Sequence, residues 1–133
     1  MPALGGSGAL EGLTDEEFEV LVQEALAGLP TEIGQRLDNV AVTVAEWPTA
    51  SELRQARVDN RGRMFGLYQG VPLTRRGVHY NLVAPDRITI YRGPLLAECH
   101  SLDGLREQIR RTVVHEVAHH FGMSEARLSE LGY

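Results

Sequence analysis

The sequence predicts an α+β fold in a single domain, and three observations carry that prediction. A capping box at Thr14 opens a stretch of helically spaced apolar residues. Two β-branched runs follow, around Val42 and Ile88. A long helix then begins after Ser101 and carries the most chemically informative stretch of the chain.

Residues 1–12 are rich in Gly and small side chains and read as a flexible N-terminal tail outside the fold, leaving 13–133 as one domain. In Thr14-Asp15-Glu16-Glu17, Thr14 is the N-cap and Glu17 its partner three residues on. Phe18, Leu21, Val22, Ala25, Leu26 and Leu29 then recur at helical spacing, which predicts an amphipathic packing helix ended near Pro30. A short helical turn is expected over 31–37.

Residues 39–46 form the clearest strand, β-branched and closed by Trp47-Pro48. Residues 50–57 suit a short helix. The stretch 59–86 is dense in Gly, Pro and Arg; a short strand is expected around Met64–Tyr68, then a long irregular segment. Arg87–Tyr91 alternates and reads as another strand. Gly93-Pro94 interrupts it, and 95–99 suits a short helix or an extended segment. Ser101 caps a long helix to about Phe121, and Ser124 a last one, stopped at Gly132.

Composition narrows the function classes. A net charge of -5 argues against a nucleic-acid-binding surface. No apolar run reaches membrane-spanning length, and the N-terminus lacks the basic and apolar regions of a secretory leader, so a cytoplasmic protein is expected. Cys99 is the lone cysteine, which excludes an internal disulfide. It reads as a small buried apolar residue rather than a metal ligand or nucleophile.

The long helix contains His115-Glu116-Val117-Ala118-His119. Four residues apart on a helix, His115 and His119 share a face and can reach one metal ion, while Glu116 can activate a metal-bound water. At about 100° per residue, Leu105, Ile109, Val113, Val114, Val117 and Phe121 fall in one apolar arc, and the two histidines lie outside it beside Gln108 and Arg111. Glu116 falls at the border. His120 falls inside the arc, so it is expected as a buried core residue, with support of the ligands as the next reading.

Gly122 and Glu125 extend the motif. A shuffled chain of this composition carries His-Glu-x-x-His in roughly 2% of cases, and with a Gly and a His, Asp or Glu at these further spacings in roughly 0.03%. A left-handed Gly122 would end the helix and turn the chain back. Glu125 then has two readings: third metal ligand, leaving a fourth position for water, or a first-turn residue favoured by the helix dipole after Ser124.

The motif His115-Glu116-x-x-His119-x-x-Gly122-x-x-Glu125 is similar to the extended signature of metzincins and Asp-zincins, where His or Asp stands in place of Glu125. With the runs at 66–74 and 87–92, the chain resembles a family of small bacterial minimal zincins. The resemblance implies a small mixed sheet packed on a backing helix and a metal helix. It implies Zn2+ held by His115, His119 and Glu125, and a peptide or protein substrate cut with Glu116 as general base. A catalytically inactive metal-binding or interaction module is the alternative. A closed four-ligand structural site that includes His120 is a weaker one. Tyr68, His79, Tyr80, Tyr91 and Tyr133 are available as oxyanion donors, and Met64–Gln69 or Arg87–Tyr91 as the strand that receives a peptide.

Overall fold

A computed structural model describes residues 10–70 and 85–133. Residues 1–9 of the expected tail and half of the Gly/Pro/Arg-rich stretch, His79 and Tyr80 among them, lie outside the described residues. Leu10 departs from the expected tail: it is buried and packs into the main core.

Helix α1 (Asp15–Ala27) starts where the capping box predicts. Thr14 N donates to Glu17 Oε1 at 2.8 Å and Glu17 N to Thr14 Oγ1 at 3.1 Å, so two otherwise unpaired N–H groups are satisfied. Phe18, Leu21, Val22 and Ala25 form its buried stripe. A short helix α2 (Thr31–Arg36) leads into strand β1 (Val40–Ala45). Helix α3 (Ala50–Ala56) repeats the capping box with Thr49 and Glu52, and a single 3-10 turn over Arg61–Arg63 precedes strand β2 (Gly66–Gln69).

Strand β3 (Asp86–Tyr91) is the centre of a mixed sheet ordered β1-β3-β2. It pairs parallel to β1 and antiparallel to β2, with Tyr68 opposite Ile88. The period of two divides its side chains between two faces. Ile88 and Ile90 enter the main core with α1 and the long helix; Tyr91 joins Met64 and Leu67 in a smaller cluster that Leu53, Ala56 and Val58 complete. With both edges of β3 occupied, the expectation that Arg87–Tyr91 could receive a peptide is corrected: among the described residues the edge strands are β1 and β2.

Helix α4 (Arg92–Glu98) follows β3 directly. The strand ends before Gly93-Pro94 as expected, but the helix expected from about Leu95 already begins at Arg92. Pro94 sits in the first turn, where its missing N–H is one that no intrahelical carbonyl would receive. Helix α5 (Leu102–Phe121) is capped by Ser101 Oγ, which accepts from Gly104 N at 2.9 Å. Leu105, Ile109, Val113, Val114 and Val117 are fully buried against α1 and the sheet. At about 1.5–3 kcal/mol for each fully buried aliphatic side chain, this stripe anchors a helix whose other flank is polar. Helix α6 (Glu125–Glu130) closes the chain. Among the described residues, no helix is long and apolar enough to cross a membrane.

Candidate metal centre

The exposed flank of α5 forms one wall of a cleft of about 960 Å3. The opposite wall comes from the end of α3, the segment after it and strand β2. His115, Glu116 and His119 all line this cleft. The two histidines are exposed and Glu116 is half-buried, as the helical projection predicts. The arrangement follows from spacing: the buried stripe fixes the rotation of α5, and the i, i+4 pair then has only the cleft side to occupy.

Glu116 is held by the sheet. The backbone N–H of Tyr68, on the outward edge of β2, donates to Glu116 Oε1 at 2.8 Å. Burial pushes the Glu116 carboxyl above its usual range; the Tyr68 N–H and the neighbouring His119 and His115 oppose that shift. A carboxylate with raised proton affinity beside two imidazoles is suited to proton transfer.

His120 is not the core residue expected. Its side chain is 38% exposed and its ring stacks on Tyr68, centroids 3.9 Å apart. Its Nε2 lies 4.0 Å from Asp86 Oδ2, which also accepts the Tyr68 hydroxyl at 2.7 Å. The physical reason is the size of the sheet. Among the described residues the sheet has three strands; the last turn of α5 runs past the aliphatic core, and position 120 meets the Tyr68 ring on the edge strand β2. Phe121 shares this fate: it is exposed, with the Arg36 guanidinium 4.9 Å from its ring centroid.

Gly122 ends α5 in the left-handed conformation at φ 68 and ψ 33, as its place in the motif predicts. The N–H of Met123 returns to Ala118 O at 2.9 Å, and the chain turns into α6. Ser124 Oγ accepts from Arg127 N at 3.0 Å, and Glu125 occupies the first turn. Buried Leu128 and the pairing of Arg127 with Glu32 dock α6 on the body of the protein. Glu125 is exposed and is not among the residues that line the cleft. Among the described residues, no three His, Cys, Asp or Glu side chains are gathered as a metal-binding group. The structure thus brings His115, Glu116 and His119 to one cleft wall, and Glu125 is not among the residues lining it. On the histidine side the residues fit zinc: two imidazoles displayed on one helical face, with a carboxylate between them engaged elsewhere by a backbone N–H.

The other sequence candidates separate cleanly. The Tyr68 hydroxyl is committed to Asp86, and burial together with that bond holds it protonated. Tyr91 is fully buried and Tyr133 packs beside Arg111. Cys99 is buried, and burial raises its thiol, as a small core residue should. Three arginines line the cleft outside the motif: Arg57, Arg63 and Arg111. Arg111 is legible one turn before His115 on the same face; Arg57, at the end of α3, and Arg63, at the end of the 3-10 turn, reach the cleft only through tertiary packing.

The sequence model of a family described as zincin-like metallopeptidase matches residues 37–133, from the end of α2 to the last residue. No curated protein matches the chain.

Proposed function

The chain belongs to the zincin-like metallopeptidase family, and from that premise we propose that it hydrolyses peptide bonds, with Glu116 as general base and zinc held by His115, His119 and Glu125. The observation that carries the reading is the Tyr68–Glu116 hydrogen bond inside the histidine-lined cleft. When bound, zinc supplies Lewis-acid polarisation and a water of lowered pKa.

Everything else is asked of the chain itself. His115 and His119 present their ring nitrogens from one helical face. Glu116 Oε1 is engaged by the Tyr68 N–H, which leaves Oε2 to accept the proton of the attacking water and return it to the leaving amine. Burial strengthens Glu116 as a base. Strand β2, an edge strand lining the same cleft, supports strand-like docking of an extended substrate, although its Tyr68 N–H is already used by Glu116.

A second reading keeps the metal or the fold without turnover. The position of Glu125, capped into α6 by Ser124, favours it. Zinc uptake by the purified protein separates these readings from a metal-free role, and cleavage of a peptide library by wild type but not Glu116→Gln separates peptidase from inert module. The peptidase reading is lost if the two proteins behave alike.

A further inference from the structure

The cleft has the opposite sign to the molecule around it. The chain carries 18 acidic and 13 basic side chains. Yet Arg57, Arg63 and Arg111 line the cleft, and Glu116 is the sole carboxylate among its lining residues. Arg111 is partly neutralised: its Nε lies 3.5 Å from Glu107 Oε2, and its guanidinium lies 5.9 Å from the Tyr133 ring centroid. Arg57 and Arg63 differ. Among the described residues, neither forms an ion pair with a carboxylate, whereas Arg92, Arg106, Arg110 and Arg127 all do. Residues 1–9 and 71–84 contain no Asp or Glu, so every acidic side chain of the chain belongs to a described residue.

Their placement is specific. Arg57 ends α3 at φ 59 and ψ 40, the one non-glycine residue with positive φ among the described residues. Its N–H is held by Arg54 O at 3.1 Å, which fixes where the side chain leaves the backbone. Arg63 ends the 3-10 turn that leads into Met64 and Phe65 on the same wall. Arg111 stands across from them on α5, one turn before His115. A concave surface lined by one sign of charge concentrates its field on whatever enters, and a guanidinium offers a carboxylate two parallel donors.

We propose that this cleft selects extended peptides rich in Glu or Asp side chains, with Arg57 and Arg63 receiving the carboxylates and Arg111 adding to the field. The inference rests on the peptidase reading of the same cleft and names its substrate class. Exposed ion pairs are individually weak and salt-sensitive, so selectivity comes from the pair of arginines acting together and from rejection of cationic peptides.

The test uses three short end-blocked peptides of one length, identical except that the variable positions are all Glu, all Gln or all Lys. Each is titrated into the full chain bearing Glu116→Gln, with zinc present, at low and at physiological salt. The Glu peptide should bind about tenfold tighter than the Gln peptide at low salt, and the Lys peptide weakest. Raising the salt should narrow the gap. The pair Arg57→Gln and Arg63→Gln should abolish most of it, and Arg57→Glu with Arg63→Glu should reverse the order of the Glu and Lys peptides. Equal affinities, no binding by any peptide, or a gap that survives the double substitution overturns the proposal. So does tighter binding of a homothymidine oligonucleotide, which would make the cleft a nucleic-acid site. The peptidase reading fails separately: wild type that cuts none of the peptides while the charge preference holds supports acidic-peptide binding without turnover. Equal cutting of all three keeps the peptidase and removes the selectivity.

Discussion

The backbone N–H of Tyr68 donates to Glu116 Oε1 at 2.8 Å, joining an edge strand to the helix that carries both cleft histidines. This bond fixes the carboxylate relative to the sheet and uses the strand's outward-facing donor at that position. Glycine at position 66 lets the two elements approach: a Cβ there would meet Thr112 Cγ2 at 2.7 Å and Thr89 O at 3.1 Å. Thr112 cannot yield easily, because it is buried and its hydroxyl donates to Gln108 O at 2.7 Å. Gly66→Ala should therefore destabilise the protein by about 1–3 kcal/mol and speed hydrogen exchange of the Tyr68 amide. Denaturant unfolding and amide exchange check this; an unchanged Tyr68 amide would mean that the approach of β2 to α5 does not depend on Gly66.

The Glu116 carboxyl has a stability consequence with a definite sign. Burial raises its folded-state pKa. A raised carboxyl contributes stability in its protonated form, fully present below the ordinary carboxylate range and lost as pH rises through the folded-state value. At neutral pH the ionised, half-buried side chain therefore subtracts from stability. Gln can accept the same Tyr68 N–H without a charge. Metal-free Glu116→Gln should melt at or above the wild-type temperature at neutral pH, with the gap closing in acid. A variant that melts lower at neutral pH would contradict the desolvation argument.

Gly93, in the first turn of α4, has a similar close approach. A Cβ there would overlap the indole of Trp47, which is part-exposed and covered by the Arg61 guanidinium at 4.8 Å from the ring centroid. The ring can swing outward, so Gly93→Ala should move the fluorescence of the chain's one tryptophan to longer wavelength with under about 1 kcal/mol of destabilisation. A spectrum identical to wild type would show that Trp47 does not lie over Gly93 in solution.

Much of this architecture was legible because local rules and the fold agree. Both capped starts at Thr14 and Ser101, the β-branched strands around Val42 and Ile88 and the left-handed Gly122 follow from short-range chemistry. His115 and His119 were legible because the apolar stripe of α5 dictates its rotation. His120 departs from its expected burial for a tertiary reason: a helical projection marks a direction, not whether core atoms wait there, and at position 120 the helix meets the ring of Tyr68 on the edge strand β2. The start of α4 is earlier than expected because Pro94 fits the helix's first turn, where its missing N–H costs nothing. The arginines at 57 and 63 were invisible because only long-range packing carries them to the cleft.

The role of Glu125 divides on metal affinity. As the third donor, its replacement by Ala should weaken zinc binding by about tenfold or more. As a first-turn residue alone, it contributes about 0.3–1 kcal/mol through the helix dipole and nothing to zinc. Calorimetric titration of zinc into wild type, His119→Ala and Glu125→Ala decides the matter. Loss in both variants is the expected result; loss in His119→Ala alone assigns Glu125 to the cap of α6.

The central claim is that Glu116 serves as the general base for peptide hydrolysis. Zinc-supplemented wild type and Glu116→Gln should be incubated with the same peptide library and the products read by mass spectrometry, with a chelator-treated sample of each. The account predicts cleavage by wild type that the chelator abolishes and that Glu116→Gln lowers by about 10²–10⁴-fold while still binding zinc. Cleavage of equal rate and pattern in both proteins, or none in either with zinc bound, would contradict it.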